Sequence, residues 1–335
     1  MDIGKAFEKE IKDVDNTIEE ILPKEPKEAY GMLYEYIMRG GKRIRPAILL
    51  TILQSIEEDP KKREELYRRT LLPCALLECF HAFTLIHDDI EDGSVLRRGK
   101  PTLHVTHGMP VALNSGDSLY TFIWRKLLDI NFEHEKKLAM MKALGDTFRE
   151  VVEGQAYDLY WEKHELFDQN EQDYFMMVSK KTGALIGISA AIPSVILDKP
   201  SLFSPLYAFG KSIGIAFQIQ DDILNLIGEE EKYKKKIGDD ITEGKRTLMV
   251  IHAISSLEKP KAERLKDILR MHTTDETLIT EAIDLIKSSD SIRYSQKVAS
   301  SLVDKEKNEI ASLLPQNDFS KKMIELSNFI VNREI

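Results

Sequence analysis

The feature that most constrains the fold is an apolar period of three and four residues that persists along most of the chain. In AILLTILQSI (47–56), LLPCALLECFHAFTLIHD (71–88) and SLYTFIWRKLLDI (118–130), apolar residues recur at this helical spacing over windows too long for strands. A persistent period of two, the mark of half-buried strands, is missing from the sequence. We therefore predict an all-α fold.

Proline and glycine interrupt this pattern at intervals. They predict helix breaks at 58–60, 93–102, 107–110, 197–201 and 256–260. A length of 335 residues allows one large domain or two ordinary ones. Because none of the breaks is a long linker and the helical segments are evenly spread, we predict a single domain over residues 1–335.

Charge and apolar content exclude several classes of protein. The net charge of −9 argues against bulk nucleic-acid binding, which usually needs a basic surface. The first residues lack the apolar region of a signal peptide, and the longest apolar stretches are too short or too interrupted for a membrane span. Cys74 and Cys79 have no metal-type spacing and are interpreted as buried thiols. We expect a cytoplasmic protein.

Two acidic clusters end apolar helical segments. In the first, Asp88 and Asp92 are four residues apart, so on a helix they share a face about 6 Å apart along the axis. The second contains Asp221 and Asp222. Oxygen ligands suit Mg²⁺, which is normally shared with substrate phosphates. Taken alone, each cluster is more simply explained as a charged helix end, but carboxylates near a helix C-terminus are unfavourable unless a cation compensates them, and this favours metal binding.

Basic residues occur in separate groups around these clusters. Two glycines open RGGKRIRP (39–46), which we expect to place Lys42 and Arg45 one helical turn apart. Further cations are Arg97 and Arg98, Lys181, and the pair Lys235 and Lys245. Taken singly, each of these basic groups is interpreted as solvated surface charge. Taken together, the basic groups and the acidic clusters indicate two bound anions, one held through metal and one held by cations alone.

Six motifs in one order resemble the trans-isoprenyl diphosphate synthases, the all-α short-chain prenyltransferases. They are GGKRIRP, DDIED with its trailing RRG, EGQAYD (153–158), KTG (181–183), FQIQDD (217–222) and GKRT (244–247). The resemblance covers about 210 residues. It implies one large helical bundle with a central active-site cavity.

The resemblance also implies roles for individual residues. Asp88, Asp92 and Asp221 resemble the Mg²⁺ ligands, and Gln155 and Asp158 the GQxxD element beside the allylic site. The residues that resemble the isopentenyl diphosphate site are Lys42, Arg45, His81 and Arg98. Those that resemble the allylic diphosphate site are Arg97, Lys181, Thr182, Gln218, Lys235 and Lys245.

Three residues need separate treatment. Asn225 stands where many relatives have an aspartate, so we expect at most a water-mediated contact between Asn225 and metal. A histidine on an apolar helix is usually a core residue, and we interpret His87 in this way. For His81 the resemblance favours substrate contact.

The implied chemistry is ionisation of an allylic diphosphate followed by alkylation of isopentenyl diphosphate. Mg²⁺, about three ions per active site with substrate bound, would act with Lys181 and Lys245 on the leaving diphosphate. No side-chain nucleophile is required, and the sequence presents no persuasive nucleophilic triad. The family resemblance further implies a homodimer.

Product length is expected to depend on residues upstream of Asp88. Phe83 lies about 7.5 Å and Phe80 about 12 Å along the helix from it. Helical rotation places Thr84 closer than Phe83 to the Asp88 face, so spacing alone leaves Phe83 as either core or tunnel floor. An aromatic at minus five, a small residue at minus four and no insertion resemble archaeal-type geranylgeranyl diphosphate synthases. This predicts a C20 product, with C15 as the near alternative.

Two other classes compete with this hypothesis. A terpene cyclase on a similar scaffold would keep the first aspartate cluster but has no need of a second diphosphate site. A non-catalytic subunit of a heteromeric synthase would typically lose an aspartate motif. This chain keeps both motifs and the additional basic groups.

Overall fold

The protein is described by a computed structural model that covers residues 3–228 and 237–331. Almost all regular structure in this part of the chain is helical, as predicted. The first helices are α1 (Ile3–Ala6), α2 (Glu8–Ile21), α3 (Lys27–Ile37), α4 (Ile44–Ile56), α5 (Pro60–Glu91), α6 (Leu103–His107), α7 (Met109–Leu127) and α8 (His134–Lys163).

The second half continues in the same way, and the residues after the gap at 229–236 are again helical. Its elements are α9 (Glu171–Val178), a π-helical turn (Ser179–Gly183), α10 (Ala184–Ile196), a 3₁₀ turn (Pro200–Leu202), α11 (Phe203–Ile227), α12 (Asp239–Thr242), α13 (Leu248–Ser256), α14 (Lys259–Arg270), α15 (Glu276–Ser288), α16 (Ser291–Leu313) and α17 (Asp318–Val331).

The predicted helix breaks are confirmed, and one of them contains a hairpin. Within 93–102, β1 (Leu96–Arg97) pairs antiparallel with β2 (Lys100–Pro101), and Arg97 lies opposite Lys100. Gly99 in the turn has a φ of +73°, the left-handed region that favours glycine. Arg97 ends β1 and Arg98 forms the turn together with Gly99, so both arginines follow shortly after the end of α5.

The described residues divide into two compact units. The first unit contains residues 3–145, 188–207 and 311–326, and the second contains 146–187, 208–228, 237–310 and 327–331. The single domain over residues 1–335, expected because the sequence has no long linker, stays a prediction.

The long helix α5 forms the core of the first unit. Asp59 caps its start by accepting the backbone N–H groups of Lys61 at 2.8 Å and Lys62 at 3.0 Å, and Pro60 occupies the first turn, where its missing N–H costs nothing. Its middle is apolar on every side, which is typical of a helix surrounded by other helices. Cys74 and Cys79 are buried there as free thiols, as predicted.

Helix α11 has the corresponding place in the second unit. Its apolar residues Ile219 and Ile223 are buried against α13, where Leu248 and Met249 are fully buried. Aliphatic side chains of α14, α15 and α16 complete this core. Burial of this continuous cluster positions the C-terminal part of α11, which carries the second aspartate pair.

Two helical stretches are long and apolar enough to cross a membrane when judged by length and composition alone. They are Pro60–Glu91 and Glu171–Ile196, and 61% and 67% of their most apolar windows lie buried inside the protein. Such burial is typical of core helices.

Close backbone contacts fix α11 against α10 in the second unit. A Cβ atom at Gly210 would lie 2.6 Å from the carbonyl oxygen of Ile186, and one at Gly214 would lie 2.7 Å from the Cα of Gly183. Only glycine permits these approaches. The packing holds the π-helical turn and Gln218 on α11 in one fixed register.

We predict that Gly210→Ala lowers the free energy of unfolding by about 1–3 kcal/mol, because backbone atoms cannot move away from the added methyl group. Gly31→Ala is the matched control: it lies inside α3, and the nearest atom to its Cβ, in Lys27, is 3.8 Å away. The control should gain up to about 1 kcal/mol from helix propensity. Chemical denaturation followed by circular dichroism measures the free energy of unfolding of both variants. Equal changes in the two variants would contradict the close backbone contact at Gly210.

Candidate active site

The first aspartate group comprises Asp88, Asp89 and Asp92 at the C-terminal end of α5. The backbone N–H of Asp92 donates to the carbonyl of Asp88 at 2.8 Å, so the helical turn continues through the C-cap. Asp88 and Asp92 are both partly exposed. The predicted four-residue spacing on one helical turn is therefore confirmed. Three carboxylates at the negative end of a helix dipole require a cation nearby.

Arg97 supplies that cation from the hairpin. Its Nε donates to Asp89 Oδ1 at 2.7 Å, and its Nη2 lies 2.5 Å from the same oxygen and 3.3 Å from Asp88 Oδ2. Burial alone would lower the pKa of Arg97, but the charges of Asp89 and Asp88 raise it instead. Arg97, predicted to hold the allylic diphosphate, is thus held by the chain's own carboxylates.

A cavity in the first unit contains two arginines, Arg43 and Arg98. It is lined by Tyr36, Ile37, Arg43, Glu78, His81, Ala82, Leu85 and Arg98. Burial, followed by the charges of Arg45 and Arg98, lowers the pKa of His81 well below its usual value, so the imidazole is neutral at pH 7. His81 and Arg98, both predicted to bind isopentenyl diphosphate, do line one cavity.

Arg45 carries a buried hydrogen-bond donor that the described chain does not satisfy. Its Nε has no hydrogen-bond partner among residues 3–228 and 237–331. Burial lowers the pKa of Arg45, and the charge of Glu78 counteracts this only in part. A buried donor without an acceptor is costly. An anion bound beside Arg45 would satisfy it.

The predicted spacing of Lys42 and Arg45 by one helical turn is wrong. Helix α4 begins only at Ile44, and Arg43 before it has a left-handed backbone with φ of 44°. Lys42 therefore precedes the helix and is exposed, whereas Arg45 lies in the first turn. The sequence could not predict this helix start, because the residue with the left-handed backbone is an arginine and not a glycine or a proline.

The glycines of the same motif accommodate Arg98. Gly40 has a φ of +86°, and its carbonyl oxygen accepts a hydrogen bond from Arg98 Nη1. A Cβ atom at Gly41 would lie 3.1 Å from Arg98 Nη2. The glycine pair thus leaves room for the guanidinium group of Arg98.

Arg43 is a site residue that sequence reasoning missed. Its Nε lies 2.8 Å from Asp15 and its Nη1 lies 3.2 Å from Glu78, and Nη2 donates to the carbonyl of Ile37 at 3.0 Å. The side chains of Arg43 and Glu78 are only 2% and 3% exposed. A glutamate inside the apolar run LLPCALLECFHAF was the available signal, because a buried carboxylate needs a counter-ion.

In the second unit the π-helical turn holds Lys181 and Thr182. Lys181 Nζ contacts Asp158 Oδ2 at 2.6 Å, and Thr182 Oγ1 donates to Gln218 Oε1 at 2.8 Å. A Cβ atom at Gly154 would lie 2.2 Å from the backbone nitrogen of Lys181, so α8 packs directly on this turn. The structure therefore brings together four residues that the sequence assigned to the allylic side.

Asp222 of the second aspartate pair is buried, and both of its carboxylate oxygens accept hydrogen bonds. Its Oδ1 accepts from Gln218 Nε2 at 2.8 Å and its Oδ2 accepts from Tyr174 Oη at 3.0 Å. Burial raises its pKa, and the hydrogen bonds from Gln218 and Tyr174 counteract that rise. Asp221, the predicted metal ligand, is partly exposed.

Asn225 has a structural partner on the next segment of the chain. It is 2% exposed, and its Oδ1 accepts the backbone N–H of Asp240 at 3.2 Å while its carbonyl accepts the N–H of Gly238 at 2.8 Å. These bonds anchor the segment that leads to Lys245. Its role toward a metal stays a prediction.

The remaining predicted cations differ in how far they can be described. Lys245 pairs with Glu243, and its charge lowers the pKa of Asp222. Lys235 lies outside the described residues. His87 packs on Phe83, with ring centroids 4.7 Å apart, but its side chain is 22% exposed and its Nε2 has no hydrogen-bond partner among the described residues, so its interpretation as a core residue stays a prediction.

The predicted chain-length residues belong to an aromatic cluster. Phe80 is fully buried and lies 5.4 Å from Phe83 between ring centroids, and Thr84 Oγ1 donates to the carbonyl of His81. Tyr120 of α7 packs on Phe83 at 5.0 Å and on Phe80 at 6.4 Å. Sequence reasoning missed Tyr120, because its contact depends on how α7 packs on α5.

The donor set of the first aspartate group fits magnesium shared with a substrate. Among the described residues, no three His, Cys, Asp or Glu side chains are grouped so as to hold a metal ion. Asp88 and Asp92 do present carboxylates at the end of α5. Magnesium usually retains waters and takes one or two carboxylates together with substrate phosphates.

Comparison with known proteins defines the class. The polyprenyl synthetase family model matches residues 27–286. The chain is 37% identical over 292 residues to a short chain isoprenyl diphosphate synthase of Methanocaldococcus jannaschii, covering 87% of this chain and 85% of that one. It is 30% identical to a geranylfarnesyl diphosphate synthase of Natronomonas pharaonis, covering 96% and 94%.

A solved structure agrees with these sequence relatives. The geranylgeranyl pyrophosphate synthetase of Pyrococcus horikoshii matches with a TM-score of 0.88 and 34% identity, covering 99% of this chain and 98% of that one. The fold is thus the all-α fold of the isoprenyl diphosphate synthases. The chain belongs to the polyprenyl synthetase family.

We predict that Asn225→Ala speeds amide hydrogen exchange in residues 237–245, because the N–H of Asp240 loses its acceptor. The free energy of unfolding should fall by about 1–3 kcal/mol. Asn225→Asp retains an acceptor oxygen and should retain slow exchange at Asp240. Hydrogen–deuterium exchange with mass spectrometry measures both, and unchanged exchange in Asn225→Ala would refute the anchoring role.

Proposed function

We propose that the protein is a Mg²⁺-dependent short-chain trans-prenyltransferase. It condenses isopentenyl diphosphate with dimethylallyl, geranyl and farnesyl diphosphates to give mainly geranylgeranyl diphosphate (C20) and releases diphosphate. Beyond family membership, the key observations are a cavity lined by Arg43, His81 and Arg98, and the buried Nε of Arg45, which acts electrostatically on His81 and lacks an acceptor in the described chain. They support a second diphosphate site that does not use metal, which chain elongation needs and cyclisation does not.

Isopentenyl diphosphate is assigned to this cavity. Arg45 and Arg98 would bind its diphosphate, and Lys42 before α4 would join them. His81 is held neutral by burial and by neighbouring arginines, so it would donate or accept a hydrogen bond without adding charge. Glu78 is neutralised by Arg43 at 3.2 Å and therefore does not repel the ligand.

The allylic diphosphate is assigned to the other cations. Arg97, Lys181, Thr182, Gln218, Lys235 and Lys245 would hold it. Magnesium bound by Asp88, Asp92 and Asp221 would neutralise charge that develops on the leaving diphosphate. Lys181 is already oriented by Asp158, which lowers the cost of ordering it when the substrate binds.

In the reaction, the C–O bond of the allylic diphosphate breaks and the electron pair leaves with the diphosphate. The double bond of isopentenyl diphosphate attacks the resulting carbocation, a new C–C bond forms, and a proton is lost to the departing diphosphate. The chain's residues supply positioning and positive charge. No side chain has to act as a nucleophile.

The C20 product is proposed from the aromatic cluster on α5. Phe83 and Phe80 would close the tunnel, and Tyr120 would support Phe83 from α7. Relatives with comparable identity are named as C20 and C25 synthases, for example from Geoglobus acetivorans at 32% and Aeropyrum pernix at 33%. C15 remains the shorter alternative.

We also propose a homodimer of single-domain, cytoplasmic chains without a membrane span. One family model spans residues of both units, which supports a single domain. Helix α7 leaves Met109 and Leu113, which are four residues apart and share one face, exposed at 58% and 45%, and this apolar face suits contact with a second copy.

Product chromatography tests this function. The purified chain is incubated with labelled isopentenyl diphosphate, Mg²⁺ and each allylic primer in turn, and the C20 alcohol is expected as the main product after dephosphorylation. A main C15 product would favour the alternative. Hydrocarbon from geranylgeranyl diphosphate alone would establish a cyclase, and no turnover with any primer would indicate a non-catalytic subunit.

Asp88→Ala serves as the metal-site control in the same assay. It should lower turnover by about two orders of magnitude or more while circular dichroism stays unchanged. Asp304→Ala removes a carboxylate that is 59% exposed and forms an ion pair with Lys307 at 2.7 Å, and it should keep full activity. Unchanged activity of Asp88→Ala would refute the metal assignment.

We predict that Phe83→Ala shifts the main product by at least one isoprene unit toward C25, because the aromatic floor is removed. Phe319→Ala is the matched control: it removes an equal side chain in the same unit, where the ring packs under Arg63 at 5.2 Å. Its product distribution should not change. A C20 product from Phe83→Ala would show that Phe83 is ordinary core.

A further inference from the structure

One buried carboxylate joins α3, α5 and the hairpin in the first unit. Asp89 is 1% exposed and uses both of its oxygens within the protein. Oδ2 accepts from Tyr36 Oη at 2.9 Å, and Oδ1 accepts from Arg97 Nε at 2.7 Å. Asp89 is therefore committed to the protein, whereas Asp88 before it is partly exposed.

The orientation of Arg97 depends on this carboxylate. The guanidinium is planar, and its Nε and Nη2 both approach Asp89 Oδ1, while Nη2 also reaches Asp88 Oδ2 at 3.3 Å. Such two-point contacts fix direction as well as distance. If Asp89 could rotate about its side-chain bonds, the plane of the guanidinium would turn with it.

Tyr36 is the group that prevents this rotation. It is 3% exposed, and its phenol holds the oxygen of Asp89 that Arg97 does not use. Burial, followed by the negative charge of Asp89, raises the pKa of Tyr36, so the phenol stays protonated and donates. A second link between α3 and the hairpin exists independently, because Arg39 Nη1 donates to the carbonyl of Pro101 at 2.8 Å.

We propose that Tyr36 is a positioning residue for Arg97, acting through Asp89. Tyr36 also lines the cavity assigned to isopentenyl diphosphate, but its hydroxyl donates to Asp89. Through that hydrogen bond it sets the direction in which Arg97 presents its guanidinium next to Asp88. That this guanidinium serves the allylic diphosphate rests on the proposed function.

Tyr36→Phe tests the proposal with little change of shape. Phenylalanine keeps the ring, over which the Arg39 guanidinium lies at 5.3 Å, and removes only the hydroxyl. We expect the KM for the allylic diphosphate to rise about three- to tenfold, with the KM for isopentenyl diphosphate and the melting temperature little changed. Tyr34→Phe, on the same helix, loses a hydrogen bond to the exposed Glu19 and should behave like the wild type.

A double-mutant cycle separates positioning from a general structural role. In an Arg97→Lys background, the planar group that Tyr36 orients is gone, so Tyr36→Phe should add little to the KM for the allylic diphosphate. Additive effects, or equal increases in the KM of both substrates, would overturn the proposal.

A readout without turnover keeps the two hypotheses apart. Nuclear magnetic resonance of arginine Nε–H groups, with Arg97 assigned through Arg97→Lys, should show slow exchange in the wild type and in Tyr34→Phe. Tyr36→Phe should exchange about tenfold faster at Arg97. Unchanged exchange would overturn the role of Tyr36. Faster exchange together with an inactive wild-type chain would support that role and refute the proposed function.

Discussion

The structure of the candidate site depends on the electrostatic cost of placing carboxylates at the end of a buried helix. The C-terminal end of α5 already carries partial negative charge, and Asp88, Asp89 and Asp92 add to it. Arg97 offsets part of this charge from the hairpin, at 2.7 Å from Asp89 and 3.3 Å from Asp88. Between the helix end and Arg97, Gly93 has a left-handed backbone with a φ of +63°, and its N–H donates to the carbonyl of Ile90 as the chain leaves α5.

The same principle explains why predicted substrate cations are paired inside the protein. Arg97 contacts Asp88 and Asp89, Lys181 contacts Asp158, and Lys245 contacts Glu243. In the proposed function, a bound diphosphate would replace a carboxylate as the partner of each of these cations. The net binding free energy gained from each new contact would therefore be smaller. In return, the cations are ordered before the substrate arrives, and less conformational entropy is lost on binding.

The fold class and the helix breaks could be predicted from the sequence. The spacing of apolar residues determines the local secondary structure, and proline and glycine end helices through their own backbone geometry. The breaks around Asp59 and at 93–102 are examples, and so is the helical turn from Asp88 to Asp92. The left-handed Arg43 could not be predicted, since its conformation is imposed by contacts with Asp15 and Glu78 far away in sequence. Tyr120 was missed for the same reason. The spacing of apolar residues shows which face of α7 is apolar, but it does not show which other helix that face packs against.

The two aspartate pairs share one arrangement, a buried second aspartate, that the sequence alone does not show. Consecutive residues on a helix point about 100° apart, so a helix at the edge of a core directs one of two adjacent side chains inward. Asp89 and Asp222 are these inward residues, and each is buried and accepts a hydrogen bond from a buried tyrosine, Tyr36 at 2.9 Å and Tyr174 at 3.0 Å.

Burial raises the pKa of Asp89 and of Asp222, and the hydrogen bonds from their partners oppose that rise. Each tyrosine therefore helps to keep a charge in the core that would otherwise favour protonation. Asp88 and Asp221, the preceding residues, are partly exposed and can serve as ligands. The doubled aspartate thus combines an anchor in the core with a partly exposed carboxylate at its edge, the residue that we propose as a metal ligand.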